Sequence, residues 1–490
     1  MNTPPNTRAR GKENLTITLV LAALLLTPFV ASSVAKAQWK FIVTSDSRGI
    51  DDGVNRTALA ELASETCSHN VDFLLFLGDL VYGTSRLSPE QFHAQLSTWV
   101  DVMKPVYDAQ IPVYVCRGNH EIADNWGGSP LPHDLPDSHA VRWLRVFGND
   151  AYPLQMLPPN GPPTEQYMTY AVAHKNALII VLDQYDGIGH APVHRINLPW
   201  LQAQLAANTK PHIFVGGHEQ AFRALHPDCL DDHPAERDAM WSAIKNAGGR
   251  TYFCGHDHFY DHARINDGDA DPNNDIHQYI IGTSGAVFYR WSPPYSGANS
   301  HYTPQQQHHA RKYGYVLVEV NDLDVSLVWT ERDSNDLTTP GTYSPAETWR
   351  YTVAPKPILL WPNGPELLVA GQTRTITWKT IDGAQTQYVV IDFSHDGGAS
   401  WQRIATCRNT GAWQWLVPPV DSDRCLLRIA DLENHALYDI TDDTFTVFRC
   451  QIPLEADVNH DCYVDFTDYA VLLDEWLKCG NPFDPACRPQ

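Results

Sequence analysis

Phe73-Leu74-Leu75-Phe76-Leu77-Gly78-Asp79-Leu80-Val81-Tyr82 is the stretch whose reading decides the fold. Five consecutive apolar residues run into Gly78-Asp79, the pattern of a strand buried on both faces that delivers a carboxylate at its carboxyl end. Four other apolar runs end in the same way. Phe41-Ile42-Val43 leads to Asp46, and Val113-Tyr114-Val115 leads to Gly118-Asn119-His120-Glu121. Ile213-Phe214-Val215 leads to Gly216-Gly217-His218, and Thr251-Tyr252-Phe253 leads to Gly255-His256-Asp257-His258. Strand ends in an open α/β sheet converge on one rim, so the chain is expected to gather Asp, Asn and His around one point.

Working outward, 490 residues exceed what one core serves, so several domains are expected. Lys and Arg total 35 against 57 Asp and Glu, a formal net charge of −22, which argues against a nucleic-acid-binding surface. Residues 1–37 read as an export signal: Arg8, Arg10 and Lys12 precede an apolar run, and Ala35-Lys36-Ala37 is a small-x-small cleavage site. An exported chain, extracellular, cell-surface or periplasmic, with no membrane span after cleavage is the expectation. The ten cysteines suit an oxidising compartment. Cys407 with Cys425 is a candidate staple; Cys450, Cys462, Cys479 and Cys487 crowd the tail, and Cys116 and Cys254 read as buried thiols.

Strand-like and helix-like segments alternate over residues 38–352, an α/β domain. Ser88-Pro89-Glu90-Gln91 is a capping box that opens a helix toward Met103, and helices are expected over residues 198–207 and 235–247. Residues 126–163 and 266–309 read as long segments over the rim. Residues 353–449 show short alternating runs such as Thr373-Arg374-Thr375-Ile376-Thr377-Trp378, an all-β sandwich. Its contiguous Ser394, His395 and Asp396 lie in a turn and cannot form a triad. Trp361, Trp401, Trp413 and Trp415 allow a glycan-binding module but suit core or turn positions better.

Asp46, Asp79, Asn119, His218, His256 and His258 are the donors that two closely spaced metal ions require to bind a phosphoryl group and generate hydroxide near neutral pH. In order and spacing these motifs resemble the calcineurin-like metallophosphoesterases. The resemblance implies two mixed sheets between helical layers and a dinuclear centre of Fe, Zn or Mn. Asp79 would bridge the ions, Asp46 and His258 serve the first, and Asn119, His218 and His256 serve the second. The same resemblance makes His120 the donor of a proton to the leaving group. One position departs from the family: Arg48 stands where most relatives have a histidine ligand, and arginine is a donor-only cation. Tyr82 is the substitute ligand that purple acid phosphatases would suggest; a packed aromatic is the alternative. Arg48 is expected to touch substrate phosphate or to pair with a carboxylate. Together these readings describe an exported phosphoesterase acting on a phosphomonoester, with a phosphodiesterase, a nucleotidase or an inactive surface assembly protein as rivals. His190, His194, His212, His262, His308 and His309 are taken as surface residues, and His226 as a weak candidate for phosphate contact.

In the tail, residues 450–490, Asp457, Asn459, Asp461, Asp465 and Asp468 stand at loop positions 1, 3, 5, 9 and 12, and Tyr463 offers a carbonyl at position 7. That is a calcium loop in spacing, followed by a helix with Tyr469, Leu472, Leu473 and Trp476 on one face. The loop resembles that of dockerin modules, which implies calcium and a cohesin-like or cell-surface partner. Such modules hold two repeats, and this chain has one.

Overall fold

Apolar runs without alternation need cover on both faces, and the fold supplies it by stacking two sheets between helices. The computed structural model describes residues 38–475 except 51, 84–86, 123–138, 149–156, 186–193, 300, 382–385, 451–453 and 459–461. The strands of the first region are β1 (Gln38–Thr44), β2 (Phe73–Leu77), β3 (Val113–Cys116), β4 (Tyr170–His174), β5 (Ala177–Leu182), β6 (His212–Gly217) and β7 (Thr251–Cys254). They continue with β8 (Tyr260–Asn266), β9 (Ile276–Ile281), β10 (Thr303–Ala310), β11 (Gly314–Asn321), β12 (Asp324–Arg332) and β13 (Tyr343–Thr352). One sheet has six strands in the order β13-β12-β11-β1-β2-β3, and the other has seven in the order β10-β8-β9-β7-β6-β5-β4. Within them β1-β2-β3 and β5-β6-β7-β9 are parallel and the remaining pairs antiparallel, so both sheets are mixed. The motif-bearing strands are all in the parallel stretches, which puts their carboxyl ends on one edge.

Phenylalanines hold the two sheets together. Phe41 of β1 stacks on Phe73 at 4.6 Å and meets Phe214 of β6 edge-on at 5.0 Å, so the facing surfaces interdigitate. The alternate residues of β6, Ile213 and Val215, point the other way and join Leu201, Trp241 and Ile244 of two covering helices, α5 (Leu198–Ala207) and α6 (Pro234–Asn246). On the outer face of the six-stranded sheet, Phe76 meets Trp99 of α2 (Pro89–Val102) at 5.3 Å. The helix α2 begins at the expected capping box, with Ser88 Oγ accepting from Gln91 N. Trp99 Nε1 also donates to Ser47 Oγ (3.0 Å), tying the helix to the loop that carries Asp46.

Residues 357–448 form a sandwich of a three-stranded and a six-stranded sheet around Ile376, Trp378, Ile391, Trp415 and Leu427. Trp415 is in the core, Trp361 and Trp413 pack against it half-buried, and Arg428 lies over Trp401. Ser394 Oγ donates to Asp396 Oδ1 (2.7 Å) within a turn, a structural contact. The helix expected after the tail loop spans Phe466–Glu475, with Tyr469, Leu472 and Leu473 exposed.

Several sequence expectations need correction. Cys407 and Cys425 are free thiols, because their strands flank Tyr388–Ser394 on opposite sides. Two strand spacings are about 9–10 Å, beyond the reach of a disulfide. Among the described residues, a disulfide joins Cys450 to Cys462. His212 and His262 are buried, not superficial: His212 Nε2 donates to Asp322 O (2.6 Å), and His262 bridges Glu347 and His277. The long segments carry elements of their own: residues 126–163 contain the helix His139–Phe147 and residues 266–309 contain β9. A helix over Arg56–His69, opened by Asn55 accepting from Ala58 N, went unread because its buried face has only two large apolar residues, Leu59 and Leu62, beside Ala58, Ala63 and Thr66. Cys116 and Cys254 are buried as expected. Residues 1–37, Cys479, Cys487, Trp476, His190, Asn459 and Asp461 lie outside the described residues. Among the described residues no helix is long and apolar enough to cross a membrane.

Candidate metal centre

The six expected donors converge, and all are between 0% and 8% exposed. Asp46 follows β1, Asp79 follows β2 and Asn119 follows β3, whereas His218 follows β6 and His256 and His258 follow β7. Asp46, Asp79 and His218 offer ligand atoms that all lie within 4.8 Å of one another. The backbone bends sharply to achieve this, with positive φ at Asp46 (62°), Asp79 (50°) and His256 (69°). Such conformations are sparsely populated for residues with a Cβ and are held by the surroundings. The glycine before His256 is required by space: a Cβ on Gly255 would lie 2.0 Å from Ser45 Oγ and 2.3 Å from Asp46 Oδ2.

Hydrogen bonds aim each donor. His218 Nδ1 donates to Leu77 O (2.8 Å) and His258 Nδ1 to Val287 O (2.8 Å), which leaves Nε2 as the atom either ring turns to the centre. His218 Nε2 is 3.1 Å from Asn119 Oδ1 and 3.4 Å from Asp79 Oδ1, and His256 Nδ1 is 3.2 Å from Asn119 Oδ1. His218 Nε2 and the oxygens of Asn119 and Asp79 thus face one another as acceptors around a point, an arrangement that a cation resolves. This set, Asp79, Asn119, His218 and His256, fits a borderline metal ion by donor chemistry. In the other set Asp46 Oδ1 is buried without a hydrogen-bond partner, 3.4 Å from His258 Nε2. There, however, Arg48 intrudes: its Nε is 3.3 Å from Asp79 Oδ2, and its Nη2 is 3.1 Å from His258 Nε2 and 3.2 Å from Tyr289 Oη.

Supporting groups complete the rim. Glu121 accepts from the backbone N–H groups of Asp79 (2.9 Å), Val81 (3.2 Å) and Gly118 (2.7 Å), locking two loops together. Burial, reinforced by Asp79, pushes its pKa up to about 8. Asp257 accepts from Gln220, Leu225 and His226, which fixes the loop after β6. Asp228 Oδ1 is 3.5 Å from His256 Nε2. Burial disfavours charge on His256, yet the Asp228 carboxylate lifts its pKa to about 9, and that of Asp228 itself falls to about 2.

His120 is buried beside the bridging position, Nδ1 donating to Tyr82 O and Nε2 lying 3.9 Å from Asp79 Oδ2. Burial pushes its pKa down to about 4, against the pull of Asp79. Tyr82 stands at the mouth, 37% exposed, its ring 5.8 Å from that of His120. His226 reaches the site too, its ring 4.9 Å from His256. Arg48, Asp79, Tyr82, Asn119, His120, His226, Asp228, His256 and Tyr289 line a cleft of about 360 Å³. A neighbouring cleft of about 440 Å³ shares Arg48, Tyr82 and Tyr289 and carries the exposed Ile50 and Val287. Glu121 and Asp257 were legible inside their motifs, whereas Asp228 and Tyr289 come from loops without a sequence signal.

The family model for Calcineurin-like phosphoesterase matches residues 40–260. The chain is similar to tartrate-resistant acid phosphatase type 5 of Rattus norvegicus, 23% identical over 339 residues that cover 64% of this chain and 93% of the relative. The Homo sapiens protein of that name is 26% identical over 260 residues, covering 50% of this chain and 73% of the relative. The Mus musculus protein is 22% identical over 324 residues, covering 61% and 88%. The family and these relatives imply a dinuclear metal centre. Residues 40–260 therefore form a domain of the calcineurin-like phosphoesterase family, and the chain is a metal-dependent phosphoric ester hydrolase.

Proposed function

We propose that the chain is an exported phosphomonoesterase. The observation that carries this reading is the buried ring of six donors opening, beside His120 and Arg48, into a cleft sized for a phosphoryl group. A metal ion bound by Asp79, Asn119, His218 and His256 supplies Lewis-acid charge for a phosphoryl oxygen and lowers the pKa of water. The protein's own groups do the rest. Arg48 offers N–H groups to a phosphate oxygen, which holds the ester in line for displacement. The Nδ1–H of His120 is committed to Tyr82 O, so a proton carried on Nε2 makes an imidazolium. The negative charge of the bound ester favours that imidazolium, which hands its proton to the departing oxygen. The neighbouring cleft, with Ile50, Val287 and Tyr289, receives the body of the leaving group.

Purified chain loaded with Mn²⁺ or Zn²⁺ is expected to hydrolyse p-nitrophenyl phosphate faster than bis(p-nitrophenyl) phosphate. The reverse preference would make it a phosphodiesterase, and no turnover with metal bound would sink the reading.

For the tail we propose calcium in residues 457–468 and a cell-surface partner. In support, Asp457 and Asp468 are 6% and 4% exposed. Asp468 accepts from Val458 N and Asp465 N (both 2.8 Å), and Asp457 accepts from Cys462 N (2.8 Å). Calcium should protect this tail from proteolysis; equal cleavage with calcium and with chelator would reject the site.

A further inference from the structure

We propose that Arg48 is the resident cation of the first metal position, so that the chain holds one transition-metal ion tightly, in the second position. A second ion enters only by displacing the guanidinium. This rests on the metal-dependent reading above.

His258 Nδ1 donates to Val287 O, which leaves its ring a single acceptor, Nε2. Arg48 Nη2 lies 3.1 Å from that atom and Arg48 Nε 3.4 Å. One imidazole lone pair serves an N–H or a metal, not both. The same guanidinium takes Asp79 Oδ2 at 3.3 Å, the oxygen that a first ion would need as its bridge. An ion bonded to these atoms at about 2.0–2.2 Å would also stand against a like charge in a largely buried site.

The arginine is held where it is. Its backbone pairs with Val54, and Asn55 N donates to Ser47 O (2.8 Å) just before it. Its side chain is 17% exposed, and Nη2 also donates to Tyr289 Oη (3.2 Å). Tyr289 in turn stacks on His258 at 4.2 Å, nearly parallel, so the contact between Arg48 and His258 is braced from the far side. Arginine stays protonated throughout the working range of an enzyme. Two buried carboxylates, Asp46 and Asp79, need compensating charge, and a fixed guanidinium supplies part of it without any ion. Asp46 Oδ1 keeps no hydrogen bond in this arrangement, which is what leaves a weak second position open to an ion at high concentration. The second set differs because there Asn119 Oδ1 and Asp79 Oδ1 face His218 Nε2, whose ring has already given its Nδ1–H to Leu77 O.

The test counts Mn, Zn and Fe per chain by elemental analysis after gel filtration, in excess calcium so that the tail loop does not contribute. Wild type is expected to retain one ion and Arg48→Gln two. Mn²⁺-loaded wild type should give the six-line magnetic resonance spectrum of an isolated ion, and the variant that of a coupled pair. Titration of metal-stripped protein should show the second equivalent binding at least tenfold tighter in Arg48→Gln. Two tightly held ions in wild type, a tyrosinate-to-iron band in its visible spectrum, or one ion in both proteins would overturn the proposal while leaving the hydrolase intact. If Arg48→Gln fails to fold, the wild-type stoichiometry and spectrum decide alone. No bound metal and no turnover in wild type would overturn both readings.

Discussion

The two sheets contribute different chemistry to one rim. The six-stranded sheet brings oxygen, through Asp46, Asp79 and Asn119; the seven-stranded sheet brings nitrogen, through His218, His256 and His258. Each half is set by the other. His218 Nδ1 is fixed by Leu77 O across the seam, and Asp46 Oδ2 accepts from His256 N (3.1 Å) in the opposite direction. At this rim neither sheet alone supplies all six donors, so the seam is the functional unit. Disturbances should rank by how directly they open it.

Removing the shared carboxylate is the harshest disturbance. Asp79→Ala is expected to lower turnover by about 10⁴-fold or more and to strip bound metal, because an ion worth several kcal/mol to the transition state would lose its carboxylate ligand. Full metal content in that variant would show that the oxygen side is dispensable. Next comes His120→Ala, which leaves the donors in place. On an alkyl phosphate the loss should be about 10²–10⁴-fold, and on p-nitrophenyl phosphate much smaller, since a good leaving group needs no proton. Equal losses on both substrates would reject the acid role. On the nitrogen side, Asp228→Asn removes only the partner of His256, so metal affinity should weaken about 10–100-fold with the fold unchanged. A titration with unaltered affinity would mean that the loop merely passes by.

The mildest effect lies away from the seam, on β9 of the seven-stranded sheet. Burial, helped by His262, Arg250 and Arg264, pushes the pKa of His277 down to about 2. An unfolded histidine takes its proton near pH 6.5, so this group's contribution is complete above that pH. As pH falls below 6.5 the unfolded chain binds the proton first, and stability drops by about 1.4 kcal/mol per pH unit. His277→Gln should flatten that slope between pH 6.5 and 4.5 in urea melts; identical slopes would mean that other groups dominate.

The donors were legible in the sequence because each one terminates an apolar strand, and strand ends are the one place where order along the chain predicts proximity in space. The sandwich and the capping box followed from similar local patterns. What escaped depends on distant partners. His212 and His262 carry no local mark of burial, since the groups that satisfy them, Asp322 and Glu347, lie about a hundred residues away in sequence. The cysteine pairing failed for a similar reason: an intervening strand separates Cys407 from Cys425. Asp228 and Tyr289 sit in loops whose path is set by Asp257 and by contact with His258, neither of which announces itself in composition.

The left-handed backbone at Asp46, Asp79 and His256 has an evolutionary corollary. Each bend is disfavoured by about 1 kcal/mol or more, so a glycine at any of them relaxes the chain while erasing a ligand. Selection for thermal robustness alone should therefore drift toward sturdier, inert descendants, and libraries of this protein must be sorted for turnover and heat resistance together.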